Sequence, residues 1–206
     1  MFKTNPDAIK LADEIYVFKN FLSTNECSEI LASLETFSKS GWANSEEYSD
    51  SSEVTPYLQV VKGANVVELY QRLADFVGPD FEPLPSNSIN RLLPGQSLHA
   101  HWDSPGEEEQ VPDGVADPYQ TCHIVKYGTV VYLSEFEGGE IYYSRLGIEY
   151  KPSPGDLVIH SSFEEYEHGV RSVISGTRYV YSTFLIEKGR TALPTLTGIG
   201  HSLNDK

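Results

Sequence analysis

Cysteine is scarce. Cys27 and Cys122 are the only two, and no Cys-x-x-Cys spacing occurs, which excludes a disulfide framework or a thiolate metal cluster; the pair reads as two reduced, partly buried thiols. Basic residues are few as well. Fifteen Lys and Arg stand against 30 Asp and Glu, a formal charge of −15 with a pI near 4.7. A surface of that sign repels a polyphosphate backbone, so nucleic acid is disfavoured as a partner and peptides or small molecules remain. Nowhere do about 18 apolar residues run together, as a membrane-spanning helix requires. The opening stretch "MFKTNPDAIKLADEIYVF" lacks the uninterrupted apolar segment of a signal peptide. The expectation is no membrane segment and a cytoplasmic location. No internal repeat is visible.

What is present suits an ordinary globular chain rich in β-structure. Of 206 residues 39% are hydrophobic, with 13 Tyr and 9 Phe, enough for one core and short for two. A single domain over residues 1–206 is expected, with strands and supporting helices in 1–86, a β core in 87–188 and a surface tail in 189–206. A β-type run at residues 15–18 gives way to a helical pattern in which Ser23 and Glu26 form a capping box and Leu22 staples against Cys27. Cys27, Ile30, Leu31, Leu34 and Phe37 share one face of that helix. A second helix follows Asn65 as its cap, with Val66, Leu69, Tyr70, Leu73 and Phe76 along one side and Gly78-Pro79 as its stop.

Beyond residue 86 the runs become short, aromatic and β-branched, punctuated by Pro-Gly, Gly-Gly, Leu-Gly and Ser-Gly-Thr. That pattern predicts an all-β sandwich or barrel with the two helices covering one sheet. Two acidic stretches without periodicity, 45–53 and 104–117, are candidate substrate lids.

The stretch "RLLPGQSLHAHWDSPGEEE" raises the question of a metal. His101 and Asp103 are two apart and share a face of an extended strand, yet a chain with six His and 30 acidic residues supplies about one His-x-Asp/Glu by chance. A third ligand must come from His123, His160, His168 or His201. His168 stands apart because Arg178 follows ten residues later, in "HGVRSVISGTR". If Ile174, Ser175 and Gly176 form a three-residue hairpin loop, Val173 pairs with Thr177 and Ser172 with Arg178, and His168, Ser172 and Arg178 share a face. Four residues of strand span roughly 13 Å, room for a small dianion between a metal and a guanidinium. A two-residue Ser175-Gly176 turn would put Arg178 on the opposite face. Two imidazoles and one carboxylate with positions left open are the facial triad of non-haem Fe(II) oxygenases.

From about residue 15 to 188 the chain resembles the 2-oxoglutarate- and Fe(II)-dependent dioxygenases, and among them the prolyl 4-hydroxylase branch. The resemblance rests on "IYVFKNFLSTNECSEIL" as the opening strand and helix, "LLPGQSLHAHWD" as the first metal strand and "TVVYLSEFEGGEIYY" as the next hairpin. "YKPSPGDLVIH" matches the strand before the second histidine and "HGVRSVISGTRYVYSTF" the closing hairpin. It implies a double-stranded β-helix, a cupin-like jelly roll, with His101, Asp103 and His168 as iron ligands and catalytic centre. It also implies Arg178 as the receptor of the distal carboxylate of 2-oxoglutarate, assisted by Tyr132. The implied cofactors are Fe(II), 2-oxoglutarate and O2, with ascorbate as an optional reductant. The implied reaction is hydroxylation of an unactivated C–H, first of all in a prolyl residue of a peptide or protein and otherwise in a free amino acid or other small molecule, with succinate and CO2 released. The chain departs from the branch at Phe184 (a tryptophan there), Ser134 (an asparagine) and Lys126 (a basic residue one position out of register). Phe184, Lys126 and His99 are taken as substrate-side positions. His160 reads as structural, His123 and His201 as surface or core, and Trp102 as packed away from the metal.

Overall fold

The computed structural model describes residues 2–37, 43–44, 59–62, 66–84, 88–103 and 125–188. Strands are the commonest element among them: β1 (Ile9–Ala12), β2 (Ile15–Phe18), β3 (Ala43–Asn44), β4 (Gln59–Lys62), β5 (Phe81–Pro83), β6 (Ser88–Leu92), β7 (Leu98–His101), β8 (Val125–Tyr132), β9 (Phe136–Gly138), β10 (Ile141–Tyr143), β11 (Ile148–Tyr150), β12 (Leu157–Ser161), β13 (His168–Val170), β14 (Val173–Gly176) and β15 (Arg178–Glu187). Two α-helices, α1 (Thr24–Phe37) and α2 (Val66–Val77), lie in the first half of the chain.

The local signals for the helices hold. Glu26 N–H donates to Ser23 Oγ at 3.3 Å while Ser23 N–H donates to Glu26 Oε2 at 2.7 Å, the reciprocal pairing that satisfies two otherwise unpartnered donors at the start of α1. Leu22 and Cys27, either side of that cap, are buried in one cluster. In α2 the buried residues Val66, Leu69, Leu73 and Val77 recur every three to four positions, and each such apolar side chain contributes about 1.5–3 kcal/mol. Gly78, at φ 86°, ends α2 in the left-handed conformation that a side chain would disfavour. Asn65, the expected cap of α2, lies outside the described residues.

Nine strands form a large sheet in the order β1-β2-β12-β8-β15-β6-β4-β3, with β5 also on β15; four form a small sheet, β11-β10-β13-β7; and β14 pairs with β9. The chain alternates between the two larger sheets: β6 large, β7 small, β8 large, β10 and β11 small, β12 large, β13 small, β15 large. Alternation along each strand then divides the large sheet's side chains between two faces. Tyr181 and Leu185 of β15, Val131 and Tyr127 of β8, and Leu157 and Ile159 of β12 cluster with the buried residues of α1 and α2. Their neighbours Val180, Tyr132 and Val158 fall in a second cluster with Val17 and Phe136. It is this second face that meets the functional residues.

The expected closing hairpin does not form. Gly176 does take a left-handed φ of 77°, but β14 pairs with β9, as Val173↔Gly138 and Gly176↔Phe136. Arg178 pairs instead with Leu92 of β6, and Val180 pairs with both Asn90 of β6 and Tyr132 of β8. With a neighbour on each side, β15 has no free edge for β14, so Val173 cannot pair with Thr177 nor Ser172 with Arg178. Ser172 is exposed and Arg178 buried. The run Thr129 to Tyr143 likewise closes no direct hairpin, since β8 and β10 belong to different sheets.

Candidate metal centre and anion pocket

His101 ends β7 and His168 opens β13, and the two are direct cross-strand partners. Side chains of such partners stand on the same face of a sheet, and these imidazoles have centroids 4.6 Å apart. Asp103, two residues past His101, is anchored by its backbone N–H, which donates to the carbonyl of Ser162 just after β12 at 3.0 Å. Its carboxylate comes within 3.7 Å of His101 Nε2 through Oδ1 and 4.0 Å of His168 Nε2 through Oδ2. One ligand atom from each of the three residues lies within 4.8 Å of the other two, and this is the one such group of three or more His, Cys, Asp or Glu among the described residues.

The ring nitrogens facing away from this group are held by backbone. His101 Nδ1 lies 2.9 Å from the carbonyl of His99, and His168 Nδ1 lies 3.1 Å from that of Tyr166. A carbonyl accepts only from N–H, so each pairing fixes the proton on Nδ1 and leaves the Nε2 lone pair for a metal. Burial holds His168 below the ordinary histidine range, against the opposing pull of Asp103. The ring is therefore neutral at pH 7, the form that ligates. Two imidazoles and a carboxylate fit a divalent transition ion and are a poor set for Mg2+ or Ca2+, which favour all-oxygen shells.

His160 adjoins this group. It lies on β12, 1% exposed, with its ring centroid 4.1 Å from that of His168. Across the strand pair it faces Gly128 of β8. A Cβ at Gly128 would fall 2.7 Å from Asp103 Oδ2 and 2.8 Å from His160 Nε2, so the glycine provides the space in which carboxylate and imidazole sit. Gly128→Ala is expected to weaken metal binding about tenfold by displacing Asp103 or His160. A titration with Mn(II) that returns the wild-type affinity would show the space to be immaterial.

Four residues along β8 from Gly128, Tyr132 marks a second polar place on the same face. Arg178 Nη2 lies 3.4 Å from Tyr132 Oη, and the guanidinium sits 5.1 Å from the Tyr132 ring centroid and 6.0 Å from that of Phe136. Arg178 is 3% exposed, its Nε has no hydrogen-bond partner, and no carboxylate forms an ion pair with it among the described residues. A guanidinium so placed has the charge and the planar fork that a carboxylate requires. Between the two places, Val130, Val158 and Val180 supply apolar walls.

Of the substrate-side positions, Phe184 is the cross-strand partner of Gly128 and is half-buried. Lys126 approaches Glu187 at 4.0 Å and lies over the Phe163 ring. His99 is exposed on β7 and contributes its carbonyl to orient His101. Trp102 is also exposed, at 42%, with the Arg145 guanidinium over its ring rather than packed in the core. Residues 45–53 and 104–117, the candidate lids, and Cys122, His123 and His201 lie outside the described residues.

No protein-family model matches the sequence, and no curated protein matches it. Solved structures do. A viral collagen prolyl hydroxylase from Paramecium bursaria Chlorella virus-1, in complex with 2-oxoglutarate, superposes with a TM-score of 0.58 at 16% identity over 86% of this chain and 98% of that one. A Pseudomonas putida prolyl-4-hydroxylase gives 0.59 at 16% identity over 85% and 94%. A Trichoplax adhaerens prolyl hydroxylase bound to a hypoxia inducible factor peptide fragment gives 0.60 at 14% identity over 85% and 84%. The chain shares the fold of the 2-oxoglutarate and Fe(II) oxygenases, as the resemblance read from its sequence implies.

Proposed function

We propose that this chain is an Fe(II)- and 2-oxoglutarate-dependent hydroxylase built on a double-stranded β-helix, with both helices covering the outer face of the large sheet in one domain. The observation that carries the reading is the presence of a two-His-one-carboxylate group at the small sheet and, on the large sheet, a buried guanidinium without a carboxylate partner among the described residues. His101, Asp103 and His168 would hold the iron, and Arg178 with Tyr132 would receive the distal carboxylate of 2-oxoglutarate. The iron and cosubstrate, once bound, supply the chemistry: one atom of O2 goes to an unactivated C–H while 2-oxoglutarate leaves as succinate and CO2.

The protein's own part is orientation. The carbonyls of His99 and Tyr166 hold each imidazole with Nε2 inward, and Arg178 with its fixed planar fork sets the cosubstrate's direction. The valine walls keep water from the space between.

A prolyl residue in a peptide is the proposed substrate, supported by prolyl hydroxylases among the structural neighbours, one of them with a peptide bound. The net charge of −15 favours a neutral or basic peptide. The test is succinate release from the Fe(II)-loaded protein, with mass spectrometry for the gain of one oxygen atom in proline-containing peptides, poly-proline and free proline. Succinate with an oxygenated peptide supports the reading, and oxygenation of free proline alone moves the substrate to small molecules. Absence of any 2-oxoglutarate turnover would leave a jelly roll that binds without catalysis.

A further inference from the structure

Two buried side-chain atoms lack a hydrogen-bond partner among the described residues, Arg178 Nε and Tyr143 Oη. The anion pocket accounts for the first. Nothing described so far accounts for the second.

Tyr143 ends β10, is 1% exposed, and is the direct cross-strand partner of His168. His168 in turn is the partner of His101. Tyr143, His168 and His101 therefore form one transverse row of the small sheet, with side chains on one face. The Tyr143 ring centroid lies 6.0 Å from that of His168 and 5.7 Å from that of His160. With its ring against both His168 of the small sheet and His160 of the large one, Tyr143 lies beside the metal group, and its hydroxyl is buried without a partner.

A phenolic O–H can donate one hydrogen bond and accept others, and native interiors rarely leave such a group unpaired without a functional reason. Phenylalanine would fill the same volume with no polar atom to satisfy. We infer that Tyr143 is a third cosubstrate-binding residue beside Arg178 and Tyr132, its hydroxyl donating a hydrogen bond to an oxygen of the 2-oxo acid held between Asp103 and Tyr132. The inference rests on the proposed cosubstrate and goes beyond it, because the sequence resemblance gives this position no role.

Tyr143→Phe tests it without turnover. The protein is loaded with Mn(II) in place of Fe(II), and 2-oxoglutarate binding is followed by calorimetry and by the ligand-induced rise in Tm. The variant should bind 2-oxoglutarate about tenfold more weakly, the loss of one hydrogen bond to a charged ligand. It should keep wild-type Mn(II) affinity, and its ligand-free Tm should be unchanged or higher, since an unpaired buried hydroxyl is gone. Unchanged 2-oxoglutarate affinity overturns the assignment. So does a loss matched by an equal loss of Mn(II) affinity, which would mean that Tyr143 acts only by propping His168. If the wild-type protein itself binds no 2-oxoglutarate, the proposed function and this inference fall together, whereas wild-type binding retained in full by the variant removes only the role of Tyr143.

Discussion

His168→Ala is expected to weaken Fe(II) or Mn(II) binding by about a hundredfold and to abolish succinate release. A zinc site's binding free energy of about 10–16 kcal/mol, shared over four ligands, puts roughly 3 kcal/mol on each, and that corresponds to a factor of about a hundred. The remaining pair, His101 and Asp103, comes from one short segment and can still engage an ion weakly. β13 is held in its sheet by backbone pairing with β10 and β7, so the circular dichroism spectrum of the variant should match that of the wild type. Calorimetric metal titration checks the affinity. An undiminished value would place the ion elsewhere in the chain and remove the basis of the centre.

Arg178→Met has a different signature. Truncating one side of a desolvated, hydrogen-bonded charge pair costs about 2–5 kcal/mol, so 2-oxoglutarate affinity should fall about a hundredfold, with metal affinity unaltered. In the ligand-free protein the same change exchanges a buried cation, whose neighbours include the rings of Tyr132 and Phe136, for an apolar chain of similar length. Relief of an uncompensated buried charge is neutral or stabilising, so the Tm should hold or rise while the stabilisation conferred by 2-oxoglutarate disappears. A variant that loses Tm and keeps cosubstrate binding would show Arg178 to be a structural residue.

Much of this arrangement can be read from the chain itself, and the reasons are local. The capping box of α1 needs only Ser23 and Glu26 three residues apart, and the apolar stripe of α2 needs only a helical period. His101 and Asp103 share a face because any strand places alternate residues together. Longer-range features escape such reasoning. Whether residues 173–176 fold back on Arg178 depends on which strands already flank β15, and no feature of "VISGTR" reports the presence of β6 and β8 on either side. The place of His160 beside His168 follows from the approach of two different sheets. Tyr143 was hidden within "IYY", where two adjacent tyrosines point to opposite faces and only the pairing of Tyr143 with His168 shows which one faces the metal group. Gly128 likewise looks like an ordinary interruption of a β run until the Asp103 carboxylate is found where its side chain would be.

The position of β15 has a consequence for how the protein is made. It is the last strand described, yet it lies inside the large sheet, with β8 on one side and β6 and β5 on the other. During vectorial synthesis β1, β2, β8 and β12 can assemble as one fragment and β3, β4 and β6 as another, each presenting an open edge where β15 will enter. Until that strand leaves the ribosome, those edges are templates for pairing with other nascent chains. The strand that closes them begins with Arg178. Completion of the sheet and delivery of the proposed cosubstrate anchor are thus a single event, and a chain arrested before it would carry the three proposed metal ligands without the guanidinium proposed to receive the cosubstrate.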